Sequence, residues 1–506
     1  MRSAKLPPAV IAVPPPRLVP IFALLLTPAC FACSLNPVSQ KPQVVFVSEE
    51  DEVAAGQEAS AAVAEQMGLV NAPSLVAYVQ AIGERVAAHA PSKTLTFRFA
   101  VVDLDEPNAF ALPGGWVYIS RGILELANSE DELANVIAHE VVHVAARHHA
   151  QRHARQTGVG ILALPGLLAG ALIPGVGGLV AAPFAAAGAG VLAGYSRDQE
   201  RESDRIGQQM AAQAGYDPAA LGRFLASLER DTALRMKEPR TPSWLDTHPS
   251  TGSRAADSAQ HAKSLALSPQ PTIAGSREGF LNRLDGVLVG ENPAEGLFEG
   301  QRFLHPDLGL TLVFPEGWKT ANARDAVAAI SEKRDAQLML RHAGEGKDPR
   351  EAASLFFEEA SRQTQIDVAR LDSLEVNGLS AVRGQAVAAD GRGSVSLDLT
   401  WIALGGSIYQ LTGVVGKGYT DAHRATFGSV VHSFRRLTSA ERNAIRETRL
   451  RVRDGRATEG LESFGSRTGN AWSVGQTAVA NGLQENARLS DGQLLKVAVK
   501  QPYRGR

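Results

Sequence analysis

Two histidines spaced four residues apart in a helical stretch constrain this chain more than any other feature. The stretch begins at Ser129, which is predicted to form a capping box with Glu132. His139 and His143 therefore lie one above the other on one helix face, close enough to bind one metal ion. Glu140 neighbours the first histidine and can reach a water molecule on that ion. The sequence thus predicts a metal site within a properly started helix.

A catalytic zinc ion needs a third protein ligand and an open position for water. A second, acidic helix begins at Ser196 and carries Glu200 and Asp204 four residues apart on one face. We predict that Glu200 completes the zinc site. Asp204 is predicted to accept a hydrogen bond from the far nitrogen of a ligating histidine, which would fix its tautomer. The alternative for this segment is a surface helix of alternating charge.

Other ionisable residues on these two helices are predicted to have structural roles. His148, His149 and His153 are predicted to form a basic end of the first helix, which would extend to about residue 153. Glu202 points away from Glu200 on the second helix. It is predicted to pair with one of the neighbouring arginines, Arg197, Arg201 and Arg205.

These residues resemble the gluzincin metalloendopeptidases of peptidase family M48, including its HtpX- and BepA-like members. The resemblance covers roughly residues 45–260, and Ser203 is a small departure because the family usually has alanine before the aspartate. Beyond the histidine and glutamate motifs, three further segments match the family. They are residues 108–115, the pair Ser196-Arg197, and the segment from His248 to Arg254.

The resemblance implies metal-assisted peptide hydrolysis with one Zn²⁺ per chain. Zinc would be bound by His139, His143 and Glu200, and Glu140 would act as general base. His248 would donate to the developing oxyanion, supported by Arg254, or would bind the metal in a resting state; both readings remain open.

The segment before the first motif helix is a candidate substrate edge. Its backbone could pair with an extended substrate by strand addition, and the alternative is a buried turn. The residues of this edge are Asn108, Phe110, Ala111 and Leu112.

The resemblance, taken with the amino-terminal pattern described next, implies that the chain would be an exported zinc metalloendopeptidase that hydrolyses misfolded or misassembled envelope proteins. The alternative is a periplasmic chaperone or outer-membrane assembly factor with a latent peptidase site. The outer-membrane assembly machinery is a candidate partner in both cases. Lys plus Arg number 51 against 53 Asp plus Glu, so no basic excess favours nucleic acid as a partner.

The amino terminus is typical of a secretory signal peptide, predicted over residues 1–32. Basic residues precede a short apolar stretch, Leu18 to Leu26, which small residues and Cys33 follow. Cys33 is predicted to be lipidated, which would anchor the protein in the periplasm to the outer membrane. The alternative is an ordinary cleaved signal. Both cysteines, Cys30 and Cys33, lie in this region, which excludes a disulfide framework elsewhere.

Residues 156–196 contain no charged residue, ten glycines and three prolines. The prolines interrupt every run long enough to span a bilayer. We predict that the segment forms helices rich in small residues, which pack in a groove or touch a membrane surface. We also predict that these helices gate the active-site cleft or sense exposed apolar parts of the substrate. A transmembrane hairpin and buried core are the alternatives.

The whole chain is predicted to be an α+β multidomain protein. Residues 33–48 form a tether, and residues 49–265 form a mostly helical zincin metallopeptidase domain with a small β-sheet. Residues 276–437 form an α+β domain of unknown role. Residues 448–500 resemble a LysM module, which would bind peptidoglycan; the usual Gly-Asp-Thr turn is reduced here to Asp454-Gly455-Arg456.

Overall fold

The computed structural model describes residues 33–505, except for nine gaps. These gaps are residues 41, 46, 93, 152–193, 236–243, 249–252, 364, 391–392 and 417–419. The predicted signal peptide and most of the uncharged segment, with its groove, membrane and gating predictions, lie outside the described residues. The described part mixes helices with several sheets, which confirms the prediction of an α+β multidomain protein.

The first half of the chain is mostly helical around one small sheet. Its helices are α1 Glu49–Gln66, α2 Pro73–Ala87, α3 Arg121–Leu126, α4 Glu130–Ala145, α5 Arg197–Gln213, α6 Ala220–Arg235, α7 Trp244–Thr247, α8 Arg254–Ala262 and α9 Arg277–Leu284. Its strands are β1 Cys33–Leu35, β2 Pro42–Val44, β3 Arg98–Val102, β4 Ala109–Leu112 and β5 Trp116–Ser120. Strand β5 is central, with β3 parallel on one side and β4 antiparallel on the other.

Helix α4 runs through the middle of this core. The Ser129 hydroxyl caps its start by accepting from the Glu132 amide. Nearly every side chain of α4 is buried, and its apolar residues contact α2, α6 and β4. A helix that is apolar on most sides is stable only when other elements surround it, so the motif helix is an interior helix.

The residues predicted to be a tether pack as a hairpin against the helical core. Strand β1 pairs antiparallel with β2. The Arg147 guanidinium donates to the Val47 carbonyl oxygen at 2.7 Å, and the Gln151 amide donates to Gln43 at 2.7 Å. These contacts place the amino-terminal hairpin beside the carboxyl end of α4.

A seven-stranded antiparallel sheet forms the middle domain, in the order β10-β11-β12-β16-β15-β14-β13. Its strands are β10 Lys319–Asn322, β11 Ala326–Ile330, β12 Ala336–Glu345, β13 Gln365–Val376, β14 Leu379–Asp390, β15 Gly393–Leu404 and β16 Ser407–Gly416. Helix α10, Pro349–Gln363, packs with Trp401 on one face. Helix α11, Thr420–Ser433, packs with Ile402 on the other, because successive strand residues alternate between faces.

A smaller sheet and short helices complete this region. The small sheet has the order β17-β9-β8-β7. These elements are the 3₁₀ turn Pro293–Glu295, β7 Leu297–Glu299, β8 Arg302–His305, β9 Leu310–Val313, β17 Arg435–Arg436 and α12 Ser439–Ala444. Strand β6, Leu288–Val289, precedes them and belongs to a different sheet.

The carboxyl-terminal module has the chain order strand, helix, helix, strand. Its elements are β18 Arg446–Asp454, α13 Leu461–Thr468, α14 Val474–Ala480 and β19 Leu494–Pro502. Strand β18 pairs with β19 and with β6, so residues 277–289 pack with this module. The LysM likeness itself stays a prediction.

The module shares a core with the helical domain. Leu450 and Ala498 belong to the same apolar cluster as Ile137 of α4. The buried Lys496 ammonium donates to the carbonyl oxygens of Glu125 and Ala127, both at 2.6 Å. These bonds satisfy carbonyls at the carboxyl end of α3, where a cation is favoured.

Among the described residues, the helices are too short or too polar for a membrane crossing.

Candidate metal centre

Four side chains from three parts of the chain converge on one point. His139 and His143 come from α4, Glu200 from α5 and His248 from the residue after α7. All four are buried, and one ligand atom from each lies within 4.8 Å of the others. The set of three imidazoles and one carboxylate is typical of zinc sites.

The distances between these donors fit a single ion. Nε2 of His143 lies 2.9 Å from Nε2 of His139, which lies 3.2 Å from Nδ1 of His248. Nδ1 of His248 lies 3.0 Å from Oε1 of Glu200, and Nε2 of His143 lies 3.4 Å from the same oxygen. Tetrahedral zinc with bonds of about 2.1 Å separates its ligand atoms by about 3.4 Å. The donor set can therefore hold zinc with little rearrangement.

Helix α5 lies close enough to α4 to bring Glu200 to the histidines. A capping box of Ser196 and Gln199 starts α5. Where the helices meet, a Cβ atom on Gly207 would lie only 3.0 Å from the His139 backbone nitrogen. A glycine at this position therefore permits the close approach of the two helices.

The surroundings keep two of the ligands in metal-binding form. Burial lowers the pKa of His143 well below its usual value, which keeps the imidazole neutral. Burial would raise the pKa of Glu200, but His248, the hydrogen bond with His143 and the Arg254 charge outweigh it and hold that pKa well below its usual value. Metal ligands must be deprotonated, so the site is prepared for a cation.

Asp204 and Arg254 lie behind the first ligand. Asp204 Oδ1 lies 2.9 Å from Nδ1 of His139 and holds the ring from the side opposite its ligand atom. Arg254 donates two hydrogen bonds to Asp204, at 2.6 and 2.7 Å, and its Nη1 lies 2.8 Å from Oε2 of Glu200. Burial would raise the pKa of Asp204, but Arg254 outweighs it and lowers that pKa. This geometry places Arg254 against the metal ligands and their carboxylate support.

Glu140 has one fixed oxygen and one free oxygen. The buried indole of Trp244 donates to its Oε1 at 2.9 Å. Its Oε2 is buried and has no hydrogen-bond partner among the described residues. Nε2 of His248, 3.6 Å from Oε1, is likewise unpartnered within the described chain. An anchored carboxylate with one free oxygen is well placed to take up a proton.

Two aromatic residues of the site were missed from the sequence. The Trp244 ring stacks on His248, with centroids 4.6 Å apart. Tyr195 stacks on His143 at 3.8 Å, and its hydroxyl lies 2.7 Å from Nε2 of His149. Both positions had a sequence signal, because Trp244 lies four residues before His248 and Tyr195 directly precedes the cap of the acidic helix.

The predictions for His148 and Glu202 were wrong. Helix α4 ends at Ala145, and Arg147 adopts a left-handed conformation with φ 55°, so the chain turns before His148. His148 is buried, and its Nδ1 lies 2.9 Å from Nδ1 of His143. Glu202 pairs with Nε2 of His148 at 2.8 Å and not with the arginines of its own helix. Burial lowers the pKa of His148.

The candidate substrate edge forms strand β4. The strand comprises Ala109–Leu112 and lies at one side of the three-stranded sheet, against α4. Asn108 precedes it, and its carbonyl oxygen accepts from the Ser120 amide. Phe110 and Ala111 are buried, whereas Leu112 is half-buried. Within the described residues the other edge of β4 pairs with no strand.

Comparison with known proteins identifies the region that carries this site. The model of "Peptidase family M48" matches residues 73–261. The Beta-barrel assembly-enhancing protease of Escherichia coli O157:H7 is 36% identical over 225 residues, which are 42% of this chain and 43% of that protein. The Mitochondrial metalloendopeptidase OMA1 of Schizosaccharomyces pombe is 32% identical over 221 residues, 43% of this chain and 63% of that protein. The chain thus spans less than half the length of the first of these relatives.

Among solved structures, cyanobacterial PsbP from Synechocystis matches over 29% of this chain and 98% of that chain at 15% identity, with a TM-score of 0.24. The family match and the four-donor cluster together support the predicted zinc cofactor, and the match confirms the predicted family for residues 73–261. The region from residue 73 to residue 261 is therefore a metallopeptidase domain of peptidase family M48.

Proposed function

We propose that this protein is a zinc-dependent metalloendopeptidase that hydrolyses misfolded or misassembled proteins of the bacterial envelope. The observation that carries the proposal is the position of Glu140. Its Oε1 accepts from the Trp244 indole and lies 3.6 Å from Nε2 of the donor residue His248, while its Oε2 has no partner among the described residues. A purely structural zinc site would not need an anchored carboxylate beside it.

A zinc ion held by His139, His143 and Glu200 would polarise a scissile carbonyl and activate the attacking water. Glu140 would accept a proton from the attacking water on its free oxygen and would pass it to the leaving amine. Trp244 keeps the carboxylate oriented through its indole hydrogen bond.

Strand β4 is proposed to bind the substrate backbone. A main chain added along its unpaired edge would run beside α4, which carries the metal donors. Its backbone groups would hydrogen-bond to the main chain of an extended substrate whatever the substrate's side chains are. This mode of binding suits substrates that are recognised because they are unfolded.

Metal removal tests the proposal on the full chain. We expect one zinc per chain by elemental analysis, loss of casein hydrolysis on treatment with a chelator, and recovery on adding zinc. The loss should exceed about a hundredfold, because the metal supplies both carbonyl polarisation and the activated water. Hydrolysis that persists in verified metal-free protein would contradict the proposal.

His248 favours a regulated site and supports the alternative reading of a chaperone with a latent peptidase. A catalytic zinc keeps an open position for water, and a structural zinc has four protein ligands. His248 provides a fourth donor within 3.2 Å of His139 and 3.0 Å of Glu200. We therefore propose that His248 binds the metal in the resting state and must leave before substrate can be cleaved.

His248→Ala distinguishes the two roles given to this residue. If His248 blocks the open position, we expect casein hydrolysis to rise several-fold while one zinc per chain is retained. If His248 stabilises the oxyanion instead, hydrolysis would fall by about 10²–10³-fold. Rates and zinc content measured together on the same preparations decide between these outcomes.

The envelope location rests on the sequence and on the relative's name. The signal pattern and Cys33 support export and outer-membrane anchoring, and the relative named as assembly-enhancing supports a link to outer-membrane assembly. The carboxyl-terminal module is proposed to contact peptidoglycan. Cell fractionation and retention of the full chain on peptidoglycan sacculi check these assignments; a soluble, unretained protein would refute them.

A further inference from the structure

A hydrogen-bonded series of three side chains, His143, His148 and Glu202, extends outward from the metal site. Nδ1 of His143, on the side opposite its ligand atom, lies 2.9 Å from Nδ1 of His148. Nε2 of His148 lies 2.8 Å from a carboxylate oxygen of Glu202. The two imidazoles are fully buried, and the Glu202 side chain is 17% exposed.

Regular helix geometry would not produce this arrangement. Residues five apart on an α-helix point about 140° away from each other, so His148 could not face the nitrogen of His143 if α4 continued. Arg147, at φ 55°, breaks the helix instead. Its guanidinium is fixed by Glu52 at 2.9 Å and by the Val47 carbonyl at 2.7 Å. A non-glycine residue in this conformation is uncommon, and here contacts from a distant segment hold it.

The two motif histidines are supported in different ways. Nδ1 of His139 contacts the Asp204 carboxylate directly at 2.9 Å. Nδ1 of His143 instead contacts an imidazole, which in turn contacts the carboxylate of Glu202. One consistent proton arrangement exists for neutral rings. Nδ1–H of His143 donates to Nδ1 of His148, and Nε2–H of His148 donates to Glu202.

We propose that His148 and Glu202 are positioning residues for the metal ligand His143. By accepting the Nδ1 proton, His148 holds His143 in the tautomer whose Nε2 lone pair faces the metal. Glu202 fixes the tautomer of His148 in turn. Outer contacts of this kind orient metal ligands and strengthen their binding.

Glu202, the outer end of this hydrogen-bonded series, contacts the amino-terminal hairpin. The Asn36 side-chain amide donates to Oε2 of Glu202 at 3.4 Å. Burial would raise the pKa of Glu202, but its hydrogen bonds with His148, Ser39 and Asn36 outweigh burial and lower that pKa. The hairpin that begins at Cys33 therefore helps to hold Glu202 in place, and three separate segments of the chain support His143.

The test is zinc affinity of the full chain, measured by competition with a chromophoric chelator. His148→Phe keeps the ring volume and removes both nitrogens, and we expect it to weaken zinc binding about 10–100-fold. His148→Asn restores an acceptor near Nδ1 of His143 and should recover most of that loss. Glu202→Gln, on the partly exposed end, should give a smaller loss. His261→Phe, at a half-buried histidine on α8, is the matched control and should not change affinity.

Two further readouts separate positioning from folding. The Co²⁺ form of His148→Phe should show altered visible absorption bands, because the geometry of the metal site changes. Thermal unfolding of the chelator-treated proteins should give similar midpoints for His148→Asn and the parent. Zinc affinity of His148→Phe within twofold of the parent, or no recovery by His148→Asn, would overturn the proposal. Since the proposal rests on the metal site, a parent protein that binds no zinc would instead refute the proposed function itself.

Discussion

We expect Glu140→Gln to reduce casein hydrolysis by about 10²–10⁴-fold while one zinc per chain is retained. The amide keeps an oxygen that can accept from the Trp244 indole, so the side chain should stay in place. It cannot take up a proton at neutral pH. Glu140 is also outside the four-donor set, so its exchange removes no metal ligand.

The matched control is Glu84→Gln, an exposed position on α2 whose carboxylate contacts Gln80. It should leave both zinc content and hydrolysis unchanged. If Glu140→Gln retained full activity, a different group would have to act as base. If it lost its zinc, Glu140 would be part of the metal site, and its role in proton transfer would remain undemonstrated.

Local patterns were sufficient to predict the two motif helices. The Ser129 cap, the four-residue spacing of the histidines and the four-residue spacing of Glu200 and Asp204 each lie within one helix. The middle domain, predicted as α+β, also carries a local strand pattern. The run Val395 to Trp401 alternates apolar and polar residues, and it lies within β15.

Features that depend on distant contacts were not predictable. The helix break after Ala145 depends on contacts of Arg147 with Glu52 and Val47, about a hundred residues away in sequence. The residue with the left-handed conformation is an arginine, so no glycine in the sequence indicates the break. The Trp244 bond to Glu140 joins residues 104 positions apart. The burial of Lys496 could not be predicted from its sequence neighbours either, because its hydrogen-bond acceptors are carbonyl oxygens at the distant end of α3.

The second large effect is expected at Arg254. This guanidinium is buried against Asp204 and Glu200, with contacts between 2.6 and 2.8 Å. Arg254→Met keeps an unbranched apolar side chain at this position but leaves two buried carboxylates without their cation. Breaking a buried pair in this way costs about 3–5 kcal/mol of the free energy of unfolding. Urea unfolding at pH 7 with chelator present measures it without the contribution of bound zinc.

Arg201→Met is the control that isolates burial as the cause. Arg201 also pairs with an aspartate, Asp198, but both side chains are mostly exposed to solvent. Exposed pairs contribute about 0–1 kcal/mol, because water already solvates the separated charges. Arg254→Lys should fall between these variants, since it keeps the charge and loses the two-pronged geometry. Equal losses for Arg254→Met and Arg201→Met would contradict the assignment of Arg254 as the buried counter-charge that holds Asp204 and Glu200 in place.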